Sequence, residues 1–215
     1  MPSADRRHDH NRDRVAGGLA GGFVLLLLAT ELVLTLPDDT ANPSIVADFY
    51  ARNRVIVIIL QLLGIVAAGL LAGYAWRLRR VDRPISVAGL VMAGCAVVPG
   101  LITLVIALVA DPADPAAAAE WNSWEPRGDD LLFAGIAVFA ATVTVRLARR
   151  RTLLAMLAGL TAVAALVRLM LEMMAVQRGP LDAAAPLLFL ALVSVMAVLS
   201  WLGRLLGATL QVSPD

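Results

Sequence analysis

The stretch Val55–Arg80, VIVIILQLLGIVAAGLLAGYAWRLRR, decides the fold, because an uncharged apolar run is followed at once by a cluster of arginines. A helix rises about 1.5 Å per residue and the hydrocarbon core of a bilayer is about 30 Å thick, so about 20 apolar residues cross it. The run that ends at Trp76 meets this length. It predicts a membrane-spanning helix whose arginine-rich end lies at one membrane surface.

Five further apolar runs of similar length follow or precede this one, and none has the period-two alternation of a transmembrane barrel strand. The chain is 60% hydrophobic, whereas soluble domains are roughly 45–50% apolar. We therefore expect an all-α polytopic bundle of six transmembrane helices, N-in and C-in, over residues 15–208, with tails 1–14 and 209–215 and an outer loop at 111–130. The predicted spans are 15–36, 55–76, 85–110, 131–148, 153–176 and 185–206.

The arginines predict the orientation of the bundle. All 18 basic residues are arginine, and 13 of them fall in the N-terminal tail, the second and fourth connections and the C-terminal end. The opposite side holds 4, and the remaining one, Arg168, lies inside a predicted span. Because basic loops stay in the cytoplasm, both termini are expected there, in a bacterial inner membrane.

Three ionisable residues, Glu31, Arg168 and Glu172, lie inside predicted spans, in the half of the bundle away from the cytoplasm, and Gln61 lies at a similar depth. A charge at the centre of a span costs about 2.5–3.5 kcal/mol on insertion scales, so each is expected to face the bundle and to have a partner. Arg168 and Glu172 are four residues apart and share a helix face. Two carboxylates with one guanidinium leave one carboxylate available to a proton or cation. The alternative is an ion-pair network that only fixes the order of the helices.

Small residues predict where helices approach closely, since glycine allows backbones to come together in lipid. Glycines four residues apart occur in three predicted spans, all in the cytoplasmic half: Gly17 and Gly21, Gly69 and Gly73, Gly203 and Gly207. Pro99 predicts a kink in the third span, because it cannot donate a hydrogen bond to the carbonyl of Cys95. A kink there would widen the outer half.

Several classes of function lack the residues they need. The only cysteine is Cys95, and the two histidines, His8 and His10, lie in the N-terminal tail, so no metal site, haem or other cofactor is expected. Phosphate-binding loops and nucleophile elbows are absent. We expect no catalytic residues, no enzymatic activity and no nucleic-acid partner.

The segments Pro37-Asp38-Asp39, Asp48-Phe49-Tyr50 and Arg52-Asn53-Arg54 follow the first span and open the second. In this pattern the first 80 residues resemble a group of small uncharacterised multi-pass membrane proteins of actinobacteria. The resemblance implies a bacterial source and supports the topology, and it carries over no functional residue.

Two hypotheses of function remain. The first is a protein that binds or moves a small amphipathic molecule, a lipid or a proton at an outward-facing polar cluster. The second is a non-catalytic structural or assembly subunit, which would pack beside another membrane protein or a second copy of itself. Both have the lipid bilayer as a partner.

The orientation is open to a labelling test. In a Cys95→Ala background, Arg150→Cys in the Arg149–Arg151 turn should not react with a membrane-impermeant thiol reagent in intact cells, because this turn is expected inside. Labelling should appear once the membrane is permeabilised. Full labelling in intact cells would invert the topology.

Overall fold

The computed structural model describes residues 3–37, 41–80, 82–174 and 180–202, with side chains except at 3–12, 31 and 180–182. The described residues form seven helices and no β-strand. The helices are α1 (Ser3–Glu31), α2 (Pro43–Leu78), α3 (Arg83–Val109), α4 (Ala116–Asn122), α5 (Glu125–Leu147), α6 (Thr152–Met173) and α7 (Pro180–Trp201). Six stretches are long and apolar enough to cross a membrane, with α4 and α5 together forming one of them. For the described residues, the prediction of an all-α fold with six helices long and apolar enough to span a membrane is confirmed.

Local sequence signals start two of the long helices. The side chain of Asn42 accepts a hydrogen bond from the N–H of Ser44 at 3.0 Å, and proline occupies the first position of α2. Asp82 accepts from the N–H of Ile85 at 3.1 Å at the start of α3. Both caps satisfy amide groups that have no partner within the helix.

The end of α1 and the start of α2 are among the helix ends that differ from the predicted spans. Helix α1 ends at Glu31, although the apolar run continues to Leu36. Leu34 and Leu36 are not helical and instead pack against a cluster formed by the start of α2 and the end of α3. Hydropathy alone does not show where a helix ends, because apolar side chains can be buried both in a helix and in the non-helical segment that follows it. Helix α2 begins at Pro43, well before residue 55.

The six long helices pack in a closed ring in the order α1, α2, α3, α5, α6, α7 and back to α1. Phe189 of α7 lies in the interior, with its ring 6.1 Å from that of Phe23 on α1 and 6.2 Å from that of Phe139 on α5. Both pairs have the edge-to-face geometry that aromatic rings favour. The interior at this level is therefore filled by aromatic side chains.

A second apolar cluster lies at the other end of the bundle, between the start of α2, the end of α3 and α4. Its buried members are Val46, Ala47, Tyr50, Val57, Ile102, Ile106, Ala107, Ala110 and Ala118. Arg54 donates from Nη2 to the carbonyl oxygen of Ala110 at 2.6 Å. This bond satisfies a carbonyl at the end of α3 that has no intrahelical donor. The cluster thus ties α2, α3 and α4 into one unit.

The glycines predicted to pack helices behave differently from one another. A Cβ at Gly17 would lie 2.9 Å from the carbonyl oxygen of Ala197 and from the amide nitrogen of Trp201, and one at Gly73 would contact Leu19. A Cβ at Gly21 or Gly69 would meet nothing within 4 Å. Gly203 and Gly207 lie outside the described residues.

The open surroundings of Gly21 and Gly69 leave their role in helix packing a prediction, because no side chain or backbone of the described residues lies against them. Four residues turn a helix through about 400°, so the second glycine of a pair is rotated by about 40° from the first. Helices α1 and α7 approach at Gly17, and Gly21 lies away from that contact.

Gly17 and Gly21 provide a matched pair of substitutions on one helix. Gly17→Ala should lower stability by about 1–3 kcal/mol, because the new Cβ overlaps the backbone of α7. Gly21→Ala should leave stability unchanged or raise it by up to about 1 kcal/mol, since alanine favours the helix. The midpoint of thermal unfolding in detergent measures both. Equal midpoints for the two variants would contradict the close contact at Gly17.

Candidate functional site

The centre of the candidate site is Arg168 on α6, whose side chain is only 4% exposed. Its Nη1 donates to Oε2 of Glu172 at 2.6 Å, within one helical turn. Its guanidinium carbon lies 5.3 Å from the centroid of the Phe133 ring on α5. The ion pair expected from the spacing of four residues is present, and the aromatic face of Phe133 adds a favourable cation–π contact.

A third charged residue joins this pair from α5. Asp130 interacts electrostatically with both Arg168 and Glu172. Its Oδ1 is buried and has no hydrogen-bond partner among the residues that the structure describes. The site is therefore a triad of two carboxylates and one guanidinium, which we call the outer triad (Asp130, Arg168, Glu172).

Sequence reasoning assigned Asp130 to the outer loop and so missed its place in the triad. Helix α5 already begins at Glu125, and Pro126 lies in its first turn. Proline is favoured at the first position of a helix, where its missing N–H costs nothing. Had the proline been taken as a helix start rather than a helix breaker, Asp130 would have fallen on the same helix as Phe133.

Gln61 lies in a different part of the bundle. It belongs to α2, which packs against α1 and α3, whereas Arg168 belongs to α6, which packs against α5 and α7. A Cβ at Gly100 of α3 would lie 3.1 Å from Oε1 of Gln61. Because glycine has no side chain, the amide group of Gln61 packs directly against the backbone of α3. The structure thus places Gln61 beside α3, and not beside the pair of Arg168 and Glu172.

Gln61 and the outer triad nevertheless lie at a similar height along the bundle. Gln61 is next to Gly100, and the preceding residue, Pro99, lies close to Gly128 of α5, where a Cβ would be 3.3 Å from the Pro99 Cα. Asp130 follows Gly128 by two residues. The similar depth expected from the sequence is therefore consistent with the packing, while α3 and α5 separate the two groups.

Glu31 is the last residue of α1, and its side chain lies outside the described residues. Its predicted convergence with Arg168 stays a prediction. Because α1 ends there, Glu31 is at a helix terminus rather than inside a longer helix that reaches Leu36. Asp130, which sequence reasoning did not include among the carboxylates near Arg168, does interact with it electrostatically.

Pro99 does not interrupt α3, which continues from Arg83 to Val109. The hydroxyl of Thr103 donates to the carbonyl oxygen of Pro99 at 3.1 Å. Because Gly128 has no side chain, the first turn of α5 fits against the helix at this proline. Pro99 thus marks a close contact between α3 and α5, near the Asp130 end of α5.

The triad reaches the surface through Glu172, whose side chain is 28% exposed while that of Arg168 is almost fully buried. Met170, Met173 and Met174 at the same end of α6 are also exposed. Met173 lies about 100° around the helix from Glu172, whereas Met170 and Met174 lie about 160° away, on the opposite side. Methionine side chains are flexible and adapt to ligands of different shape. The exposed side of the triad therefore combines a carboxylate with one adaptable apolar side chain, that of Met173.

No cluster of three or more histidine, cysteine, aspartate or glutamate residues suited to a metal ion occurs in the described ranges. His8 and His10 lie on α1, and their side chains are not among those described. Comparison with protein-family models, with curated proteins and with solved structures finds no match to this chain.

Removal of the guanidinium should damage the fold. Arg168→Met leaves two carboxylates close together without their cation, which should cost about 3–5 kcal/mol of stability. Arg52→Met is a matched control, because Arg52 and Asp48 also form a pair four residues apart, with Arg52 77% exposed. An exposed pair contributes at most about 1 kcal/mol. Equal losses in the two variants, measured by thermal unfolding in detergent, would show that Arg168 has no special role.

Proposed function

We propose that this chain is an integral protein of the bacterial inner membrane that binds a proton, or a small cationic amphipathic molecule in its place, at the outer triad. The observation that carries the proposal is that Arg168 pairs with Glu172 while the Asp130 carboxylate interacts electrostatically with both of them from α5. With all three groups ionised, the triad has one negative charge in excess. The Oδ1 atom of Asp130, buried without a hydrogen-bond donor among the described residues, is the atom where this excess is least satisfied.

An excess negative charge among apolar helices is costly, because the surroundings solvate it poorly. A proton on either carboxylate, or a bound cation, removes the excess and restores a one-to-one balance with Arg168. A proton and a cationic molecule would therefore compete for the same excess negative charge. This competition is the basis on which a membrane protein can couple proton movement to binding of a cationic molecule.

The surroundings of Glu172 favour a ligand with an apolar part. The carboxylate is partly exposed, and the neighbouring exposed side chain of Met173 would face lipid in a membrane. A cation on a hydrocarbon body could pair with the carboxylate while its apolar part contacts Met173 and the surrounding lipid. A strongly hydrated inorganic cation would gain nothing from such a surface.

The ligand would enter from the extracytoplasmic half. The two arginine-rich connections, α2–α3 and α5–α6, lie together, since Nε of Arg146 is 2.7 Å from Oδ2 of Asp82. If both connections face the cytoplasm, as the distribution of arginines predicts, the start of α5 and the end of α6 face the opposite side. Asp130 and Glu172 lie at those ends.

Ligand-linked stability tests the proposal. Tetraphenylphosphonium added to the purified protein in detergent should raise the unfolding midpoint, corresponding to about 2.7 kcal/mol at a hundredfold excess over the dissociation constant. The effect should weaken as the pH falls, because protons compete for the carboxylates. Asp130→Asn and Glu172→Gln should abolish the stabilisation, since either removes the excess charge.

Glu120→Gln, an exposed change on α4, is the matched control and should respond like the parent. If tetraphenylphosphonium stabilises the parent and both triad variants equally, the triad is not the binding site. If a panel of amine and quaternary-ammonium amphiphiles stabilises none of them, the binding function is wrong.

A specific observation also favours the alternative of an assembly subunit. Gly18, Gly21 and Gly69 lie on the outer surface of α1 and α2, and a Cβ added at any of them would meet nothing within 4 Å. A Cβ at Gly22 would contact Leu70 and one at Gly73 would contact Leu19, so these parts of α1 and α2 lie side by side. Gly18, Gly21 and Gly69 therefore lie at a similar height along the two helices. Bare helix surface of this kind allows another transmembrane helix to approach closely. A failed ligand test together with a membrane protein that co-purifies in mild detergent would favour this alternative.

A further inference from the structure

A cleft of about 410 Å³ lies at the end of α2, away from the outer triad, and is lined by Trp76, Arg77, Arg79 and Arg80. Sites for small molecules have volumes of about 300–1,000 Å³, so the cleft has room for a polar headgroup. Arg77 is half-buried, and the other two arginines are exposed. Nothing in the function proposed above uses these residues.

The cleft carries positive charge that the described part of the chain does not neutralise. None of its three arginines has an ion pair with a carboxylate of a described residue. The nearest acidic residue along the chain is Asp82, and it already pairs with Arg146 and caps the N–H of Ile85. An anion that enters the cleft therefore does not have to displace an internal carboxylate there.

Trp76 partly organises the cleft. The guanidinium carbon of Arg79 lies 4.1 Å from the centroid of the Trp76 ring, a cation–π contact that restricts the long arginine side chain. A guanidinium presents a rigid fork of N–H donors that matches phosphate oxygens in bidentate fashion. Because Arg79 is already restrained, it loses less conformational entropy when it binds such a group.

The apolar side of the cleft indicates the source of the phosphate. Val66 and Gly69 precede Trp76 on one exposed face of α2, ten and seven residues before it. Gly69 leaves open space on that face. An acyl chain could lie along it, with the tryptophan at headgroup level, where tryptophan is enriched in membrane proteins.

We propose that the cleft lined by Trp76, Arg77, Arg79 and Arg80 binds the phosphate headgroup of an anionic phospholipid. Arginine near an anionic membrane surface attracts such headgroups generally, and the cleft adds a restrained guanidinium and a defined volume to that attraction. The lipid, rather than free phosphate, is the source because the arginines adjoin an exposed apolar helix face. This site does not depend on the function proposed for the outer triad.

The test compares two arginine pairs in the two inner connections. The parent, Arg79→Gln/Arg80→Gln and Arg149→Gln/Arg150→Gln are titrated in detergent micelles with dioleoylphosphatidylglycerol or dioleoylphosphatidylcholine, and bound lipid is counted by native mass spectrometry. All four arginines are exposed, so both double variants should fold like the parent, which circular dichroism checks. Loss of the cleft pair should weaken phosphatidylglycerol binding about thirtyfold, or roughly fivefold per arginine.

The matched pair Arg149→Gln/Arg150→Gln should weaken phosphatidylglycerol binding about twofold or less, through the change in surface charge alone. Trp76→Leu, which keeps every charge, should weaken it about threefold by releasing Arg79. Equal losses in the two double variants, or equal binding of phosphatidylcholine by the parent, would overturn the proposal. Displacement of the lipid by millimolar sodium phosphate would overturn the assignment to a phospholipid.

Discussion

The cost of an ionised group in apolar surroundings is the constraint on which this structure depends. Arg168 is almost fully buried among helices that are otherwise apolar, and it is retained with carboxylates from its own helix and from α5 around it. This requirement helps to determine which helices pack against α6, because Asp130 and Phe133 lie near Arg168 only if α5 packs beside α6. Without α5 beside it, Arg168 would have only Glu172 of its own helix as a partner among the three residues of the triad.

The two ends of the bundle solve different packing problems. Near the start of α1 and the end of α7, Gly17 allows backbones to touch. Edge-to-face aromatic rings then fill the interior around Phe189. At the opposite end, charged side chains lie between α5 and α6 and reach the surface through Glu172. A ligand of the outer triad would therefore bind at the side of the bundle, between two helices, rather than along its axis.

Arginine has three distinct environments in this chain. Arg168 is buried and paired, Arg54 caps the end of α3, and Arg79 and Arg80 are exposed without a carboxylate partner among the described residues. The rule that basic loops face the cytoplasm treats all exposed arginines alike. In the structure, however, Arg79 and Arg80 line a cleft beside Trp76, and the arginines of the α5–α6 turn do not. The same arginines on which the predicted orientation rests would thus, under the proposal of a lipid site, also select a lipid.

The sequence by itself determined six apolar spans, the grouping of arginines and the pair of Arg168 and Glu172. Span length and a spacing of four residues are local properties, and they follow from the rise and the turn of a helix. Only the tertiary structure decided that Asp130 completes the triad, that Gln61 lies against Gly100, and that Gly17 packs while Gly21 does not. These outcomes depend on the rotation of each helix and on its neighbours, which are set by the fit of side chains from segments far apart in the chain.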